Sequence, residues 1–379
     1  MSDGLRNLKV VVGITSRSWG GNEKWASEAA RGLSALGHDT LAFYSYEPVG
    51  RELSARGVRA RKIRLWGDVN PAGFTSLVRL LRELRPDVLI LTKQREYWMG
   101  GLAARMAGRP LVVLRQGLRR PIREDYKGRV AFGRMADLVV VNSEDVREVV
   151  ASPEWLDGSK VRVLLNGVEM SAPDVERGRR ALTELGVPEG ARVLVSAGRL
   201  TRQKGFDLLI RAFVPVVKEA PGVRLLILGE GGQRGALEAE ALESGVADAV
   251  VFAGHRTDVR DLVAASDVYV LSSRNEGMAN TLLEAMSVGA PIVATDVSGS
   301  AEAVRDGVDG LIVPSEDGRA LSAAVLRLLG DPDLAARLGG SAREQAELRF
   351  SYDRMASEFE SMLIEAIEAR RGQPGADVV

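Results

Sequence analysis

Lys9-Val-Val-Val-Gly-Ile14 is a run without polar alternation, followed by the helical pattern Asn22–Leu36 and a second such run, Thr40–Tyr44. A strand with one wet face alternates apolar and polar residues. A continuous apolar run fits a strand covered on both faces, as in a parallel sheet. Runs of this kind recur at Arg61–Leu65, Val88–Thr92, Leu111–Arg115 and Leu138–Asn142, with helical stretches such as Gly73–Leu84 and Met99–Ala107 between them. The alternation restarts at Val193–Ala197, Arg224–Leu228, Val250–Ala253, Val268–Leu271, Ile292–Thr295 and Gly310–Val313, separated by helices such as Phe206–Lys218, Gln233–Glu243, Ala279–Val288 and Ala320–Leu329. Two βαβ series predict two doubly wound α/β domains. The join falls near Ser171-Ala-Pro-Asp174, which reads as a linker ending in a helix cap.

Composition agrees with two globular domains. The chain has 379 residues, 45% apolar and 27% charged, enough for two cores of ordinary size. With no Cys, a disulfide framework, Cys-ligated zinc, an iron–sulfur cluster and a Cys nucleophile are excluded. His38 and His255 are the only histidines, which leaves little for a His-rich metal site. No apolar run reaches the ~18 residues of a membrane span, and Met1–Lys9 lacks the apolar stretch of a signal peptide. A cytoplasmic protein is expected. The 51 Lys+Arg and 51 Asp+Glu cancel overall but not by halves. Residues 1–172 hold 28 basic against 19 acidic side chains, and residues 173–379 hold 23 against 32. The split fits either an anionic partner for the first half or drift in surface composition.

In sheets of this class, ligands lie beyond the carboxyl ends of the strands, so the chemistry is sought in the loops that follow strands. Ser272-Ser-Arg-Asn-Glu-Gly-Met-Ala-Asn-Thr-Leu-Leu-Glu284 follows one strand and opens a helix. Its helix start favours an anion. Glu276 and Glu284 suit sugar hydroxyls better than phosphate, although spacing alone favours a helix-terminus charge and a solvated face residue. A glycosidase pair is also conceivable from two carboxylates, but this spacing fixes no distance between them. Ser196-Ala-Gly-Arg-Leu-Thr-Arg-Gln-Lys-Gly205 places Arg199 and Lys204 in a Gly-bounded turn suited to a diphosphate. It lacks the Gly-Lys-Ser/Thr ending of a Walker loop. Trp19-Gly20-Gly21-Asn22 lets a ligand approach the backbone at the first β–α turn, without a full dinucleotide fingerprint. Gly229-Glu-Gly231-Gly-Gln-Arg-Gly235 resembles a nucleotide-binding glycine pattern but sits after the wrong strand and reads as a turn. Arg115, Arg119, Arg120, Arg123, Lys127, Arg129 and Arg134 outnumber Glu124 and Asp125. They fit an acceptor phosphate, an anionic lipid surface or a solvated basic face. Tyr97 and Trp98 follow Lys93-Gln-Arg95 and fit sugar stacking, an interfacial contact or burial. The cluster is not interleaved with aromatics, which argues against nucleic acid.

Taken together and in order, these segments resemble the family 4 glycosyltransferases, over almost the whole chain. The resemblance rests on Gly20-Gly21 with Leu36-Gly-His38, Val141-Asn-Ser143, Leu165-Asn-Gly-Val-Glu169, Gly198-Arg-Leu with Lys204-Gly205, and Gly229-Glu-Gly. It continues through Gly254 with Asp258-Val, Ala265-Ser-Asp267, Glu276-Gly with Leu283-Glu284-Ala-Met, Gly289-Ala-Pro291-Ile-Val, and Glu302 with Asp306-Gly-Val-Asp-Gly-Leu. It implies the GT-B fold: two Rossmann-like domains with an interdomain cleft and a last helix crossing back to the first. The expected parts are an acceptor-binding domain at 1–171 with the crossing-back helix at 352–371, a donor-binding domain at 172–351, and a disordered tail at 372–379.

The resemblance implies a retaining, nucleotide-sugar-dependent, metal-independent transferase acting on a glycan or glycolipid acceptor, in cell-surface polysaccharide, lipopolysaccharide or glycolipid biosynthesis. No cofactor is implied beyond the donor co-substrate, with a UDP-sugar favoured over a GDP-sugar. Arg199 and Lys204 match the pair that holds the donor diphosphate and stabilises the leaving group, and Glu276 the carboxylate near the transferred sugar. Glu284 matches the ribose-binding residue. Gly20, Gly21, Gly198, Gly229, His255, Gly277, Met278, Ala279, Asn280 and Thr281 complete the expected donor contacts. Lys93, Arg95, Arg115, Gln116, Arg119 and Arg120 are expected on the acceptor side, with peripheral contact to an anionic membrane as a further possibility. One departure is visible: many members carry a His after the strand corresponding to Leu111–Arg115, where this chain reads Leu114-Arg-Gln-Gly117. Neither Arg115 nor Gln116 is a convincing general base at neutral pH. His38 is expected to be structural. The rival readings are a same-fold sugar-phosphate enzyme, revealed by phosphorolysis without nucleotide, and a binding-only relative, revealed by nucleotide binding without turnover.

Overall fold

The computed structural model describes residues 7–65 and 70–372, except for the side chain of Arg95. All but the first residue of the tail expected at 372–379 lie outside the described residues. The chain forms two compact units, Met1–Gly167 with Tyr352–Val379, and Val168–Ser351.

The first unit is built on a parallel seven-stranded sheet: β1 Lys9–Ile14, β2 Asp39–Tyr44, β3 Ala60–Lys62, β4 Val88–Leu91, β5 Leu111–Gln116, β6 Leu138–Val141 and β7 Val161–Val163. The spatial order is β3-β2-β1-β4-β5-β6-β7. The order therefore reverses between β1 and β4, where sheets of this kind open a crevice at their carboxyl ends. The apolar runs are buried because successive side chains serve opposite layers. Val10, Val12, Ile14, Val88, Ile90, Val113 and Val140 pack with Trp25, Ala29 and Leu33 of the helix Gly21–Ala35. Val11, Leu89, Leu91, Val112, Leu114 and Val139 pack on the other side with Leu77, Leu81, Ala103 and Phe132.

Two edges differ from expectation. The strand expected at Arg61–Leu65 is Ala60–Lys62. Ile63 N still donates to Tyr44 O at 2.7 Å, but the Ser45 hydroxyl then takes the Ile63 carbonyl at 2.8 Å and the ladder ends. The edge strand is exposed throughout and carries Arg61 and Lys62, charges that discourage pairing with a further strand. On the other edge lies β7, which the sequence reading did not include. Three residues, one of them Arg162, give too little periodicity to detect.

The last helix, Tyr352–Arg371, returns to the first unit as expected. Met355, Phe359, Leu363 and Ile367, spaced four residues apart, join the layer around Trp25. The Phe359 and Trp25 rings lie 5.7 Å apart. His38 is structural here. Its Nδ1 accepts from Leu8 N at 3.1 Å, and its Nε2 lies 2.8 Å from Glu360 Oε1, which ties β1 and the Gly-His turn to this helix.

The second unit contains β8 Val193–Ala197, β9 Arg224–Leu228, β10 Val250–Gly254, β11 Val268–Leu271, β12 Ile292–Thr295 and β13 Leu311–Val313. Their parallel order is β10-β9-β8-β11-β12-β13, so the reversal falls between β8 and β11. One core layer joins Leu225, Ile227, Val268 and Val270 to Phe206, Leu209 and Phe213 of the helix Phe206–Glu219. Asp174 caps the helix Val175–Glu184 by accepting from Arg177 N at 2.9 Å.

Phe359 is fully buried against this layer, so Phe359→Ala should cost about 3–5 kcal/mol. A urea titration should show a lower unfolding midpoint for the first unit. An unchanged midpoint would mean that the returning helix contributes no packing.

Candidate functional site

In the second unit, the loops after β8 and β11 are fastened to each other at the reversal of strand order. The chain leaves β8 through Gly198 and Arg199, makes a 3-10 turn at Arg202–Lys204, and enters the helix Phe206–Glu219 through Gly205. Gly205 has φ +65, and a Cβ there would lie 2.0 Å from Ser272 O. Only glycine satisfies both the left-handed backbone and that approach. Gly229, after β9, has φ +135 and would place a Cβ 1.9 Å from Gly198 O. Hydrogen bonds complete the fastening: Ser272 Oγ donates to Lys204 O at 3.1 Å, Gln203 Nε2 to Asn275 O at 2.7 Å, and Arg274 N to Gln203 O at 2.8 Å.

Lys204 Nζ lies 2.5 Å from Glu276 Oε1, which also accepts from Ser273 Oγ at 2.7 Å. Glu276 is buried, and the Lys204 side chain is 17% exposed. Low solvent access strengthens such a pair but makes it dependent on good geometry. Arg199, on the same loop, is exposed and has no ion-pair partner among the described residues. The site therefore combines a paired ammonium, an accessible guanidinium and a buried carboxylate.

Beyond Glu276, Gly277, Met278 and Ala279 are buried and lead into the helix Asn280–Ser287. Thr281 accepts a hydrogen bond from Tyr269 Oη at 2.8 Å, and burial pushes the Tyr269 phenol well above its usual range. Glu284 is buried on the same helix, so the reading of a solvated face residue does not hold. His255 is exposed after β10, and Gly254 before it has φ +68.

Sequence reasoning did not single out Arg274. Its guanidinium reaches Asp207 Oδ1 at 2.6 Å, Asp207 Oδ2 at 2.8 Å and Arg202 O at 2.9 Å, and it also bonds Glu316. The hydrogen bonds from Arg274 hold the Asp207 carboxyl well below the usual carboxylate range. This bidentate pair bridges the two loops behind Lys204 and Glu276.

The first unit gathers residues at the carboxyl ends of β1, β4 and β5. Gly20 precedes the helix Gly21–Ala35 in an extended conformation. Arg115, at the end of β5, is buried: Nη1 donates to Asn22 Oδ1 at 2.7 Å and Nη2 to Asn166 Oδ1 at 3.0 Å, and the guanidinium lies 4.3 Å from the Trp25 ring centre. Burial lowers its pKa to about 10. Gln116 is also buried, with Nε2 3.3 Å from Arg120 O. Lys93 pairs with Glu23 at 2.7 Å. Arg119 pairs with Asp145 at 2.6 Å, and Arg120 is exposed. Arg95 lies in the helix Gln94–Met106, but its side chain is outside the described residues. Glu96 is a second residue that sequence reasoning missed. It is fully buried and accepts from Thr15 N at 2.8 Å, Thr92 N at 2.9 Å and Lys93 N at 3.1 Å. Burial raises its pKa. Its signal was a glutamate three residues into a helix that follows a strand.

Among the described residues, no group of three or more His, Cys, Asp or Glu side chains could hold a metal ion, and no helix is long and apolar enough to cross a membrane.

Comparison with known proteins assigns both units. The family model "Glycosyltransferase Family 4" matches residues 19–172, and "Glycosyl transferases group 1" matches residues 191–331. The lipopolysaccharide core biosynthesis glycosyltransferase LpsE of Rhizobium meliloti (strain 1021) is 33% identical over 240 residues, covering 63% of this chain and 67% of that protein. Among solved structures, a glycosyltransferase from Rickettsia africae ESF-5 superposes with a TM-score of 0.85 at 17% identity, covering 96% of this chain and 99% of that one. Anabaena Alr3699/HepE in complex with UDP-glucose gives a TM-score of 0.82 at 22% identity, covering 94% and 100%. The order of both sheets, the returning helix and these matches agree: the chain belongs to the family 4 glycosyltransferases and has the GT-B fold.

Proposed function

We propose that this glycosyltransferase transfers a sugar, with retention of anomeric configuration, from a nucleoside-diphosphate sugar to a glycan or glycolipid acceptor of the bacterial cell surface. The observation that carries the reading is the Lys204–Glu276 pair, 2.5 Å apart, on loops that also present the exposed Arg199. A donor diphosphate competes with Glu276 for the Lys204 ammonium. As Lys204 turns to phosphate, Glu276 is released to accept from a sugar hydroxyl. Negative charge grows on the leaving diphosphate in the transition state, and fixed cations are most effective there. Glu284, buried one helix turn and more beyond the loop, is assigned to the ribose hydroxyls. The lipopolysaccharide relative supports a surface-glycan acceptor, and the UDP-glucose-bound neighbour places UDP first among the bases to test. The family resemblance implies a metal-independent transferase, so turnover should persist in EDTA.

A thermal-shift panel of UDP, GDP, ADP and their sugars should show stabilisation by one nucleotide series, because a ligand that binds only the native state raises the melting temperature by mass action. If no nucleotide or nucleotide sugar binds or is turned over, the proposal fails. Phosphorolysis without nucleotide would assign the fold to a sugar-phosphate enzyme instead.

Arg199→Ala and Lys204→Ala should each lower turnover by about 10²-fold or more, and near-normal rates would remove their assigned role. Glu276→Gln should separate binding from transfer: nucleoside-diphosphate affinity is kept or tightened, because Lys204 loses its competing carboxylate, while turnover falls. Proton NMR of the first product formed should show the anomeric configuration of the donor; an inverted product would refute retention.

A further inference from the structure

Arg274 uses every donor that its side chain has. Nε donates to Glu316 Oε1, Nη1 to Asp207 Oδ1 at 2.6 Å and to Arg202 O at 2.9 Å, and Nη2 to Asp207 Oδ2 at 2.8 Å and to Glu316 Oε2 at 3.2 Å. A guanidinium carries its N–H groups in a fixed fork, and here none is left over for a ligand. The partners stand on separate stretches of the second unit: the turn Arg202–Lys204, the first turn of the helix Phe206–Glu219, and the loop after β13. Along the chain, Lys204 lies between Arg202 and Asp207, and Glu276 follows Arg274 in the loop after β11. Both members of the Lys204–Glu276 pair therefore sit within a few residues of the points that this one guanidinium holds. Glu316 supplies an independent observation. Its φ is +65, a left-handed backbone that costs free energy for a residue with a Cβ and that glycine adopts freely. The position nevertheless keeps a side chain, and that side chain meets Arg274. With Glu316 57% exposed, the pair contributes little to stability by itself. It gives the fork a second fixed end, opposite Asp207, whose carboxyl the hydrogen bonds from Arg274 keep ionised.

We infer that Arg274 is a positioning residue for transfer: anchored by Asp207 and Glu316, it holds the turn that carries Lys204 in register with Glu276. The inference rests on the proposed role of the Lys204–Glu276 pair and extends it to a residue that touches no substrate. A loosened Lys204 still attracts a ground-state diphosphate by its charge. It loses alignment with the charge that grows on the leaving group, where fixed groups are most effective. Lysine at position 274 would keep the charge but not the fork, because an ammonium is a point charge on a flexible stem. It cannot join both carboxylates and the Arg202 carbonyl in one plane.

The test compares the full-length wild type with Arg274→Lys and Glu316→Gly. Without ligand, acetylation of Lys204 by an N-hydroxysuccinimide ester, read by peptide mass spectrometry, should be about threefold or more faster in Arg274→Lys, because the turn opens locally more often. Glu316→Gly should shift it in the same direction. Its melting temperature should be no lower than that of the wild type, since glycine relieves the left-handed strain, and it therefore serves as the folded control. With a nucleotide sugar that the wild type turns over, both variants should lower kcat, Arg274→Lys by about tenfold or more, while KM changes by less than about threefold. Unchanged acetylation of Lys204 in both variants overturns the inference, and so does unchanged kcat in both. A raised KM at constant kcat overturns it as well, because it would make Arg274 a group that binds ground state and transition state alike. A lower melting temperature at unchanged kcat in Glu316→Gly would mark a purely structural contact, with the same consequence. If nucleotide sugars are turned over and the variants behave as the wild type, only this inference falls. If acetylation rises in the variants but the wild type turns over no nucleotide sugar, the proposed function falls and the hold of Arg274 on Lys204 stands.

Discussion

A parallel sheet buried on both faces needs a covering layer on each side, and much of this molecule follows from that requirement. In the first unit Val10, Val12 and Ile14 face one layer while Val11 faces the other. Neither set can meet water without losing the main stabilising term of the fold. The helix Gly21–Ala35 covers only part of the first layer. The chain therefore returns after the second unit, and Met355, Phe359, Leu363 and Ile367 cover what remains. With both faces closed, the ends of the strands are where a ligand can reach the sheet. The loops that carry Arg199, Lys204 and Glu276 lie at such ends.

Those loops are rigid because backbone, rather than side chain alone, sets their spacing. Gly205 meets Ser272 O and Gly229 meets Gly198 O at distances that leave no room for a Cβ. On this frame Arg274 adds the bridge through Asp207 and Glu316. The consequence is electrostatic. Lys204 and Glu276 meet in partial burial, where a charge without a partner is costly, and Ser273 supplies a further hydrogen bond to the same carboxylate oxygen. A pair held this way gives each side chain a partner within the loops. Under the proposed function, a diphosphate would replace one partner of a pair already withdrawn from bulk water.

The strands of both sheets were legible because their function is to be apolar. Val193–Ala197 and Arg224–Leu228 stand where the runs place them. Legibility failed at the edges, where β3 and β7 carry arginines and are only three residues long. At the site, Lys204 and Glu276 were legible through the ordered family segments, not through spacing: they are 72 residues apart, and no local rule brings them together. Arg274 and Glu96 were illegible for another reason. Each looks like an ordinary charged residue near a helix start, and its role comes largely from distant partners: Asp207, Arg202 and Glu316 for Arg274, and Thr15 for Glu96. Arg115 shows the same limit from the opposite side. In sequence it belongs to a basic cluster, but the fold buries it against Trp25 and two asparagines, a member of the frame and not of the charged surface.

The division of charge between the halves changes meaning on the same grounds. Several basic side chains of the first half are paired with acidic ones of the same half, which leaves its net excess unchanged but takes those cations out of play as ligands for an anion. Arg31 and Arg56 share Glu28, Arg59 meets Asp39, Arg61 meets Glu83, Lys62 bonds Glu47, and Arg119 meets Asp145. The exposed pairs among these contribute little to stability, and the unpaired cations carry the excess. Arg120 and Arg123 are exposed without an ion-pair partner among the described residues. In the second half the count is acidic, yet its loops present Arg199 and Lys204. Net charge acts on diffusing partners over about a Debye length, ~8–10 Å at ordinary ionic strength. Recognition of a phosphate or carboxylate is decided at contact distance. At the candidate site, the cations in reach are the exposed Arg199 and the Glu276-paired Lys204, which the acidic total of the second half does not predict.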